Sequence, residues 1–246
     1  MARRHVESPA HGAPIRNRLL ERLPRGRRAG LIAGCERVQL GAREILGARG
    51  EEIRSVYFPT GSSISSLVPV DAAFPPEVML AGSEGFYGIA VALGMTISPV
   101  HALVQEPGSA WRMGSVAFRR ELARTPALRD VIDRYVFVTM AQLMRNAGCS
   151  HFHVVLQRVA RRLLMTSDRA HSATFHMTHE SLASVLGVRR VGVTVAASVL
   201  QKRRLIGYSR GIVTILDRPG LERTACPCYR EDAAFYERYL GSSAAS

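Results

Sequence analysis

The sequence predicts an α+β fold with three zones: a small N-terminal β-roll, a long helix, and a C-terminal domain of helices that ends in a hairpin. Short apolar runs separated by Gly and Pro clusters indicate strands over residues 38–113. A long helical pattern follows, and then two further helical patterns precede an apolar hairpin. We expect a flexible N-terminus at 1–14, a β-roll effector domain at 15–124, the long helix at 125–147, a C-terminal domain at 148–232 and a tail at 233–246.

The charge balance is the least ordinary feature of the composition. The 246 residues include 33 Lys and Arg against 20 Asp and Glu, which gives a formal net charge of +13. Such an excess favours a polyanionic partner, either nucleic acid or an anionic membrane surface. Residues 1–18 carry no apolar run, so we expect neither a signal peptide nor a membrane anchor. Four cysteines are too few for a disulfide framework, and we expect a cytoplasmic chain.

The long helix is expected to begin at Thr125 as N-cap, with Pro126 at its first position. A shorter helical pattern precedes the β-roll at residues 15–23. Along the long helix, one stripe with helical spacing comprises Leu128, Ile132, Tyr135, Thr139, Gln142 and Asn146. We expect this stripe to pack on a second copy of the helix in a symmetric homodimer, because the helix lies between two domains. Packing on the β-roll of the same chain is the alternative. Gly148 is expected to end the helix, and another is expected over residues 153–167.

Residues 178–200 carry the steric signature of two helices that cross at a steep angle. Such a crossing needs a small residue where the helices touch, a residue able to take positive φ in the turn, and a buried apolar residue beyond it. Ala183, Gly187 and Val193 meet these requirements in order. Thr178 is a candidate N-cap of the first helix. The pattern therefore predicts a helix-turn-helix.

An apolar hairpin joined at Ser209-Arg210-Gly211 follows, so the whole predicts a winged helix. Double-stranded DNA is the expected partner, since the second helix of such a motif enters the major groove. At least one of Arg189 and Arg190 is expected to read a guanine, and the alternative is that both only neutralise phosphate. Tyr208 and Arg210 are expected at phosphates. The full set of candidate DNA-binding residues is Thr178, Arg189, Arg190, Val191, Thr194, Val195, Ser198, Tyr208 and Arg210.

Several short segments within residues 15–229 resemble the Crp–Fnr superfamily of bacterial transcription regulators. The most telling are Val56-Tyr57-Phe58-Pro59, Gly82-Ser83-Glu84-Gly85-Phe86, Thr178-His179-Glu180 and Leu186-Gly187-Val188-Arg189-Arg190. The resemblance implies a cyclic-nucleotide-binding-like β-roll, a long dimerisation helix and a C-terminal winged helix, which match the three zones. It also implies a sequence-specific, homodimeric transcription regulator, for which RNA polymerase and a small-molecule effector are candidate partners.

The same resemblance argues against control by cyclic AMP. Relatives that bind it have a glutamate for the ribose in a Phe-x-Gly-Glu-Leu segment, which here reads Phe86-Tyr87-Gly88-Ile89-Ala90. Their phosphate-binding arginine is missing from the corresponding Val100-His101-Ala102, and a phosphate buried without a cation is costly. The N-terminal cysteine cluster of oxygen-sensing relatives is missing as well. A pocket for another ligand would involve Glu84, Phe86, Tyr87 and His101.

The cysteines give no clear functional pattern in the sequence. Cys226-Pro227-Cys228 could form a redox pair or half of a metal site, but a zinc site needs four ligands, and we expect packing of the C-terminal segment instead. Cys149 is expected to be an inert buried thiol. We expect no metal, no cofactor and no enzyme, because the motifs of catalytic sites are missing. Two other functions stay open: a regulator gated by an unidentified ligand of the β-roll, and a basic protein that coats nucleic acid regardless of sequence.

Overall fold

The computed structural model describes residues 17–69 and 75–241. The expected flexible segment 1–14 and residues 242–246 of the expected tail lie outside this range. Within it, a two-sheet β-roll precedes a long helix, and a C-terminal domain of helices with a small sheet follows. The predicted α+β fold class is confirmed.

The N-terminal helix lies later in the chain than predicted. Within the described part of residues 15–23 only a 3-10 turn forms, Leu20–Arg22, and the first α-helix, α1, is Arg25–Ala33. The buried side chain of Asn17 holds the turn, because it accepts a hydrogen bond from the backbone N–H of Leu20 at 3.0 Å. It also donates to the carbonyl oxygens of Pro59 and Gly85, at 2.9 and 2.8 Å. These bonds tie the N-terminal segment to the β-roll.

The described strands of the β-roll pair antiparallel in two sheets. They are β1 Glu36–Leu40, β2 Ile45–Gly47, β3 Ser55–Pro59, β4 Ser63–Leu67, β5 Glu77–Ala81, β6 His101–Glu106 and β7 Gly108–Gly114, with a short helix α2, Ile89–Ala92, between β5 and β6. One sheet has the order β1-β7-β3 and the other the order β2-β6-β4-β5. The apolar core of this domain includes the stacked rings of Phe58 and Phe86, whose centroids are 5.5 Å apart. The strands predicted over residues 38–113 are thus confirmed.

Helix α3, Ser115–Arg124, leads from the β-roll into the long helix α4, Pro126–Phe152. The prediction that Gly148 ends α4 is wrong, because the helix continues to Phe152. One glycine costs a helix only about 1 kcal/mol, which the packing around it can offset. The stripe expected at a dimer contact packs elsewhere: its apolar members, Leu128, Ile132 and Tyr135, belong to the β-roll core. For this stripe, the alternative of packing within the same chain is the correct one.

The C-terminal domain begins with helix α5, Val155–Ala170, two residues after the predicted start. Next come α6 His179–Leu186 and α7 Arg190–Lys202, together with the strands β8 Thr174–His176, β9 Ile206–Ser209 and β10 Ile212–Ile215, which form a sheet of order β8-β10-β9. The sequence predicted the β9–β10 hairpin and missed β8. Among the described helices none is by itself long and apolar enough to cross a membrane, and α6 and α7 reach that length and composition only as a bent pair.

Two helices end the described chain, α8 Arg218–Thr224 and α9 Cys228–Leu240. The expected boundary between residues 232 and 233 falls inside α9, so the described part of the segment expected as a tail is helical as far as Leu240. Tyr236 and Leu240 of α9 are buried in the core of the β-roll. Phe235 and Tyr239 pack on Phe137 of α4, with ring centroids 5.6 and 5.1 Å away. The C-terminal segment therefore returns to the first domain.

Two buried ion pairs join the β-roll to α5. Arg162 of α5 donates two hydrogen bonds to the carboxylate of Glu77 on β5, and the two side chains are only 7% and 2% exposed. Arg169, also on α5, pairs with Glu84 at 2.8 Å. If the domains separated, each of these charges would either stay buried without its partner or be exposed to solvent alone. The pairs therefore favour one relative placement of the two domains.

Glu106, at the end of β6, makes the stability of the chain depend on pH. Its Oε1 atom is buried and has no hydrogen-bond partner within the described residues. Burial raises the pKa of Glu106 from 4.5 to about 7, and the nearby charge of Arg162 offsets this only in part. The folded chain thus keeps a proton that the unfolded chain loses above about pH 4.5. This group therefore lowers the free energy of unfolding as the pH rises from about 4.5 to 7.

We expect Glu106→Gln to remove this component of the pH dependence. Thermal unfolding between about pH 4.5 and 8 measures it: the Tm of the variant relative to the wild type should rise with pH. Glu52→Gln, which changes an exposed carboxylate, is the matched control. The difference in Tm between this variant and the wild type should not change with pH. A wild-type to Glu106→Gln difference that does not change with pH would contradict the raised pKa.

Candidate nucleic-acid interface

Helices α6 and α7 meet at the sharp bend that the sequence predicts. The pair is bent by 114°, and Gly187 between them has φ +61° and ψ +41°, a left-handed conformation that glycine adopts without strain. The hydroxyl of Thr178 accepts a hydrogen bond from the backbone N–H of Ser181 at 3.0 Å and so caps α6. Ala183 and Val193 are both buried, as the crossing requires. The predicted helix-turn-helix is confirmed.

One face of α7 is open to solvent while the other is packed in the domain. The packed face consists of Val193, Ala196, Ala197 and Leu200. The open face consists of the six residues that the sequence assigned to it, all of them exposed: Arg189, Arg190, Val191, Thr194, Val195 and Ser198. The side chain of Val191 is 73% exposed. Apolar groups beside arginines suit a surface that touches both thymine methyl groups and the polar edges of bases.

The charge of this face is positive and is not neutralised within the described part of the chain. Arg189 and Arg190 lie at the N-terminus of α7, and Lys202, Arg203 and Arg204 lie at its other end. None of the five forms an ion pair with a described carboxylate. The partial positive charge of the helix N-terminus adds to that of the two arginines. These guanidinium groups are therefore available to an anionic or acceptor-rich partner.

The hairpin of β9 and β10 forms a wing with Arg210 at its tip. Arg210 and Gly211 have φ +49° and +79°, the two positive values that a type I′ turn requires. Strand β8 pairs with the other side of β10, so the wing is part of a three-stranded sheet with β10 at its centre. The side chain of Arg210 is exposed and forms no ion pair with a described carboxylate. The wing thus presents an unpaired cation at its outermost point.

The sequence predicted that Tyr208 contacts a DNA phosphate. In the structure its side chain contacts other residues of the same domain. Its hydroxyl donates a hydrogen bond to the carbonyl oxygen of Met177 at 3.0 Å, and its ring stacks on His179 with centroids 4.4 Å apart. The Nδ1 atom of His179 shares a hydrogen bond with Thr194 Oγ1 at 3.1 Å. Burial, and then the charge of Arg190, lowers the pKa of His179. Tyr208 and His179 therefore connect the wing to both helices of the motif.

The C-terminal part of the chain matches a known domain family. Residues 157–224 match the Crp-like helix-turn-helix domain, which is the part that contains α6, α7 and the wing. A search among curated protein sequences found no match. The chain therefore contains a Crp-like helix-turn-helix domain, and the resemblance noted in these C-terminal segments is confirmed.

Several solved structures share the overall fold at low sequence identity. The c-di-GMP responsive regulator CLP of Xanthomonas campestris is 16% identical, with a TM-score of 0.64 over 78% of this chain and 99% of that chain. A CRP-family transcriptional regulator of Thermus thermophilus is 21% identical, with a TM-score of 0.64 over 77% and 96% of the two chains. FixK2 of Bradyrhizobium japonicum is 14% identical, with a TM-score of 0.61 over 78% and 98%. The match therefore extends through the β-roll as well as the helix-turn-helix.

The structure places the four residues expected to line an effector pocket in different surroundings. Phe86 and Tyr87 are buried in the core of the β-roll. His101 lies on β6, where its Nδ1 accepts a hydrogen bond from the backbone N–H of Arg49 at 3.3 Å. Glu84 lines a separate cavity of about 590 Å³ beside α5 and α9, where it pairs with Arg169. The structure thus brings only Glu84 of the four to that cavity.

Proposed function

We propose that this protein is a homodimeric transcription regulator of the Crp–Fnr superfamily, which reads a near-palindromic DNA sequence with α7 in the major groove. The observation that carries the proposal is the exposed face of α7, which begins with Arg189 and Arg190, neither of which pairs with a carboxylate in the part of the chain that the structure describes. In helix-turn-helix proteins the N-terminal residues of the second helix contact base edges. Arginine is the side chain that most often makes such contacts, through two hydrogen bonds to guanine.

The remaining residues divide by their place on the motif. Val191 and Val195, which are exposed next to the arginines, contact thymine methyl groups in this proposal. Lys202, at the far end of α7, contacts phosphate. So does Arg210, because an exposed cation at the tip of the wing can reach the backbone of the duplex. The proposal thus separates side chains that read sequence from those that supply affinity for any sequence.

The dimer contact in this proposal is the exposed face of α4 rather than the buried stripe. Three large apolar side chains lie on it at helical spacing, Phe137, Met140 and Met144, and they are 49%, 49% and 69% exposed. Ala147 and Gly148 extend this face toward the end of α4 with small side chains. Parallel packing of two such helices buries these groups around a two-fold axis. In such a dimer the two α7 helices would bind DNA half-sites whose centres are about 34 Å apart.

The proposal also holds that cyclic AMP is not the effector. Ile89 opens the short helix α2 at the position where relatives have the ribose-binding glutamate, and no arginine lies in residues 100–102. A phosphate bound there would lack the charge that offsets its desolvation. An experiment with cyclic AMP checks this: saturating nucleotide should leave the DNA affinity unchanged.

Selection of bound sequences from random DNA, followed by footprinting of the selected site, tests the function. The purified chain should enrich a near-palindrome, and at physiological salt it should bind that sequence about 10³-fold or more tightly than random DNA. A ratio near one would contradict the proposal and favour a protein that coats nucleic acid regardless of sequence.

Two substitutions separate base reading from phosphate contact. We expect Arg190→Ala to lose about 1–3 kcal/mol of discrimination at one base pair of each half-site, because a bidentate contact with guanine is removed. Lys202→Ala should weaken binding to all sequences by a similar factor and reduce the salt dependence of binding by about one phosphate contact per subunit. Titrations of both variants against the selected site and a mutated site, at several salt concentrations, measure the difference. Identical profiles for the two variants would refute the division of roles.

A further inference from the structure

Four side chains that are distant in sequence converge where α4 ends and α9 begins. They are Cys149 on α4, His153 directly after it, Cys226 before α9 and Cys228 at its first position. One potential ligand atom from each lies within 4.8 Å of all the others. The three cysteines are buried and free, and they form a small cluster that is separate from the two larger apolar cores. The cluster is not part of the DNA-binding surface described above.

The distances within the cluster suit a tetrahedral metal ion. Cys149 Sγ lies 3.6 Å from Cys226 Sγ, and Cys228 Sγ lies 3.6 Å from His153 Nδ1. An ion with bonds of about 2.3 Å to sulfur and about 2.0–2.1 Å to nitrogen holds two sulfurs ~3.8 Å apart and a sulfur and a nitrogen ~3.6 Å apart. A disulfide would need its sulfurs at about 2.05 Å. The cluster therefore has the spacing of ligands around one centre.

We propose that Cys149, His153, Cys226 and Cys228 form a structural site for a divalent metal of the zinc type. Three sulfurs and one imidazole nitrogen are a ligand set that zinc takes in closed, four-coordinate sites. Soft thiolate ligands exclude magnesium and calcium, which take oxygen ligands. The four ligands leave no open position, so the role of the ion is structural rather than catalytic.

A buried arginine beside the cluster supplies a free hydrogen-bond donor to such a site. A divalent ion with three thiolates carries one net negative charge. Arg161 lines the same cavity as Cys149, and its guanidinium donates hydrogen bonds to Asn146 and Asp232. Its Nε–H is buried and has no hydrogen-bond partner within the described residues. This unused donor suits a neighbouring thiolate, because an anionic ligand needs such outer partners.

The site lies at the connection between the two domains of the chain. Cys149 belongs to the long helix, and His153 lies between that helix and α5, with which the C-terminal domain begins. The other two ligands belong to the segment through which the chain leaves that domain and enters α9. One ion would therefore hold the entry and exit of the C-terminal domain together, and its binding energy would add to folding.

Metal binding by the full chain tests the proposal directly. The purified, reduced protein is titrated with Co²⁺, whose visible absorption becomes intense in a tetrahedral site with thiolate ligands. We expect one Co²⁺ per chain, near-UV sulfur-to-cobalt absorption, and displacement by one equivalent of Zn²⁺. Elemental analysis of protein purified without added metal should find zinc. The measurement needs no variant and no DNA, so its outcome is independent of the proposed function.

Variants identify the ligands, and the chain supplies its own controls. Cys226→Ser should weaken Zn²⁺ binding by at least ~100-fold, because even the loss of a residue that merely orients a ligand costs about 10–100-fold. Cys35→Ser, which changes the free cysteine outside the cluster, should leave binding unchanged, as should His151→Ala. His153→Cys keeps four ligands and should still bind, with stronger sulfur-to-cobalt absorption.

Three results would overturn the site. The first is a wild-type Co²⁺ spectrum typical of an octahedral ion. The second is equal Zn²⁺ affinity of the wild type and Cys226→Ser. The third is recovery of the chain without metal and with a disulfide between Cys149 and Cys226. If Cys226→Ser does not fold, the spectra of the wild type and of His153→Cys still decide the question.

Discussion

Glu77→Ala is expected to lower the free energy of unfolding by about 3–5 kcal/mol, because it leaves the guanidinium of Arg162 buried without its carboxylate. The side chain of Arg162 is 7% exposed, and within the described residues its Nε already lacks a hydrogen-bond partner, so water cannot readily replace the carboxylate. The Ser65 hydroxyl, which donates to Glu77 Oε2 at 2.5 Å, would lose its acceptor as well. Urea unfolding followed by circular dichroism measures the change.

Two control experiments test whether the loss of stability comes from the buried charge of Arg162. Glu237→Ala removes the carboxylate of an ion pair with Arg18 whose side chains are about half exposed, and it should cost less than about 1 kcal/mol. The double variant Glu77→Leu with Arg162→Met replaces both charges of the pair by apolar groups and should be close to the wild type in stability at about pH 5, where the buried Glu106 near Arg162 is protonated. A cost below 1 kcal/mol for Glu77→Ala would show that water reaches Arg162 and that the pair does not join the domains.

The helix-turn-helix was predictable because its requirements are steric and local. Gly187 has to take a positive φ in the turn, and the residues that touch across the bend lie within a few positions of it. Burial then selects one face of α7, so the exposed face from Arg189 to Ser198 follows from the helical period alone. The β-roll was predictable for a similar reason, since Gly and Pro mark the turns between short strands.

The long helix shows where periodicity stops being informative. Apolar residues cover more than one face of α4, so the pattern indicates which residues can be buried but not what buries them. Leu128 and Ile132 lie against the β-roll, whereas Met140 and Met144 remain exposed. The packing of α9 on α4 decides how much of the helix is covered, and nothing in the local sequence encodes that contact.

The cysteine cluster and His179 were missed for different reasons. Cys149 and Cys226 are separated by 77 residues, and metal-site motifs are recognised from short spacings, so only the fold could bring the ligands together. His179 had a local signal, because it follows the N-cap Thr178 directly. Its contacts with Tyr208 on the wing and Thr194 on α7 depend on the crossing of two helices and a sheet. Such three-element junctions are not visible in the period of any one element.

The second large effect is expected from the exposed face of α4, in the double variant Met140→Glu with Met144→Glu. In the proposed dimer this change places four carboxylates around the two-fold axis and removes apolar surface from the contact, so the chain should become monomeric. A monomer contacts one half-site, and loss of the second binding module should weaken DNA affinity by ~10²–10⁴-fold. Sedimentation measures the first effect, and titration with the selected DNA site measures the second.

Met95→Glu is the matched control, since Met95 is a methionine of the β-roll that is 59% exposed, between the values for Met140 and Met144. It adds a carboxylate in place of an exposed thioether, away from α4, and should change neither the oligomeric state nor the DNA affinity. Circular dichroism of all variants establishes that they are folded. If the Met140 and Met144 double variant stays dimeric, the dimer contact lies elsewhere. If it is monomeric but binds DNA as tightly as the wild type, two-fold recognition is refuted, because the second half-site then contributes nothing to binding.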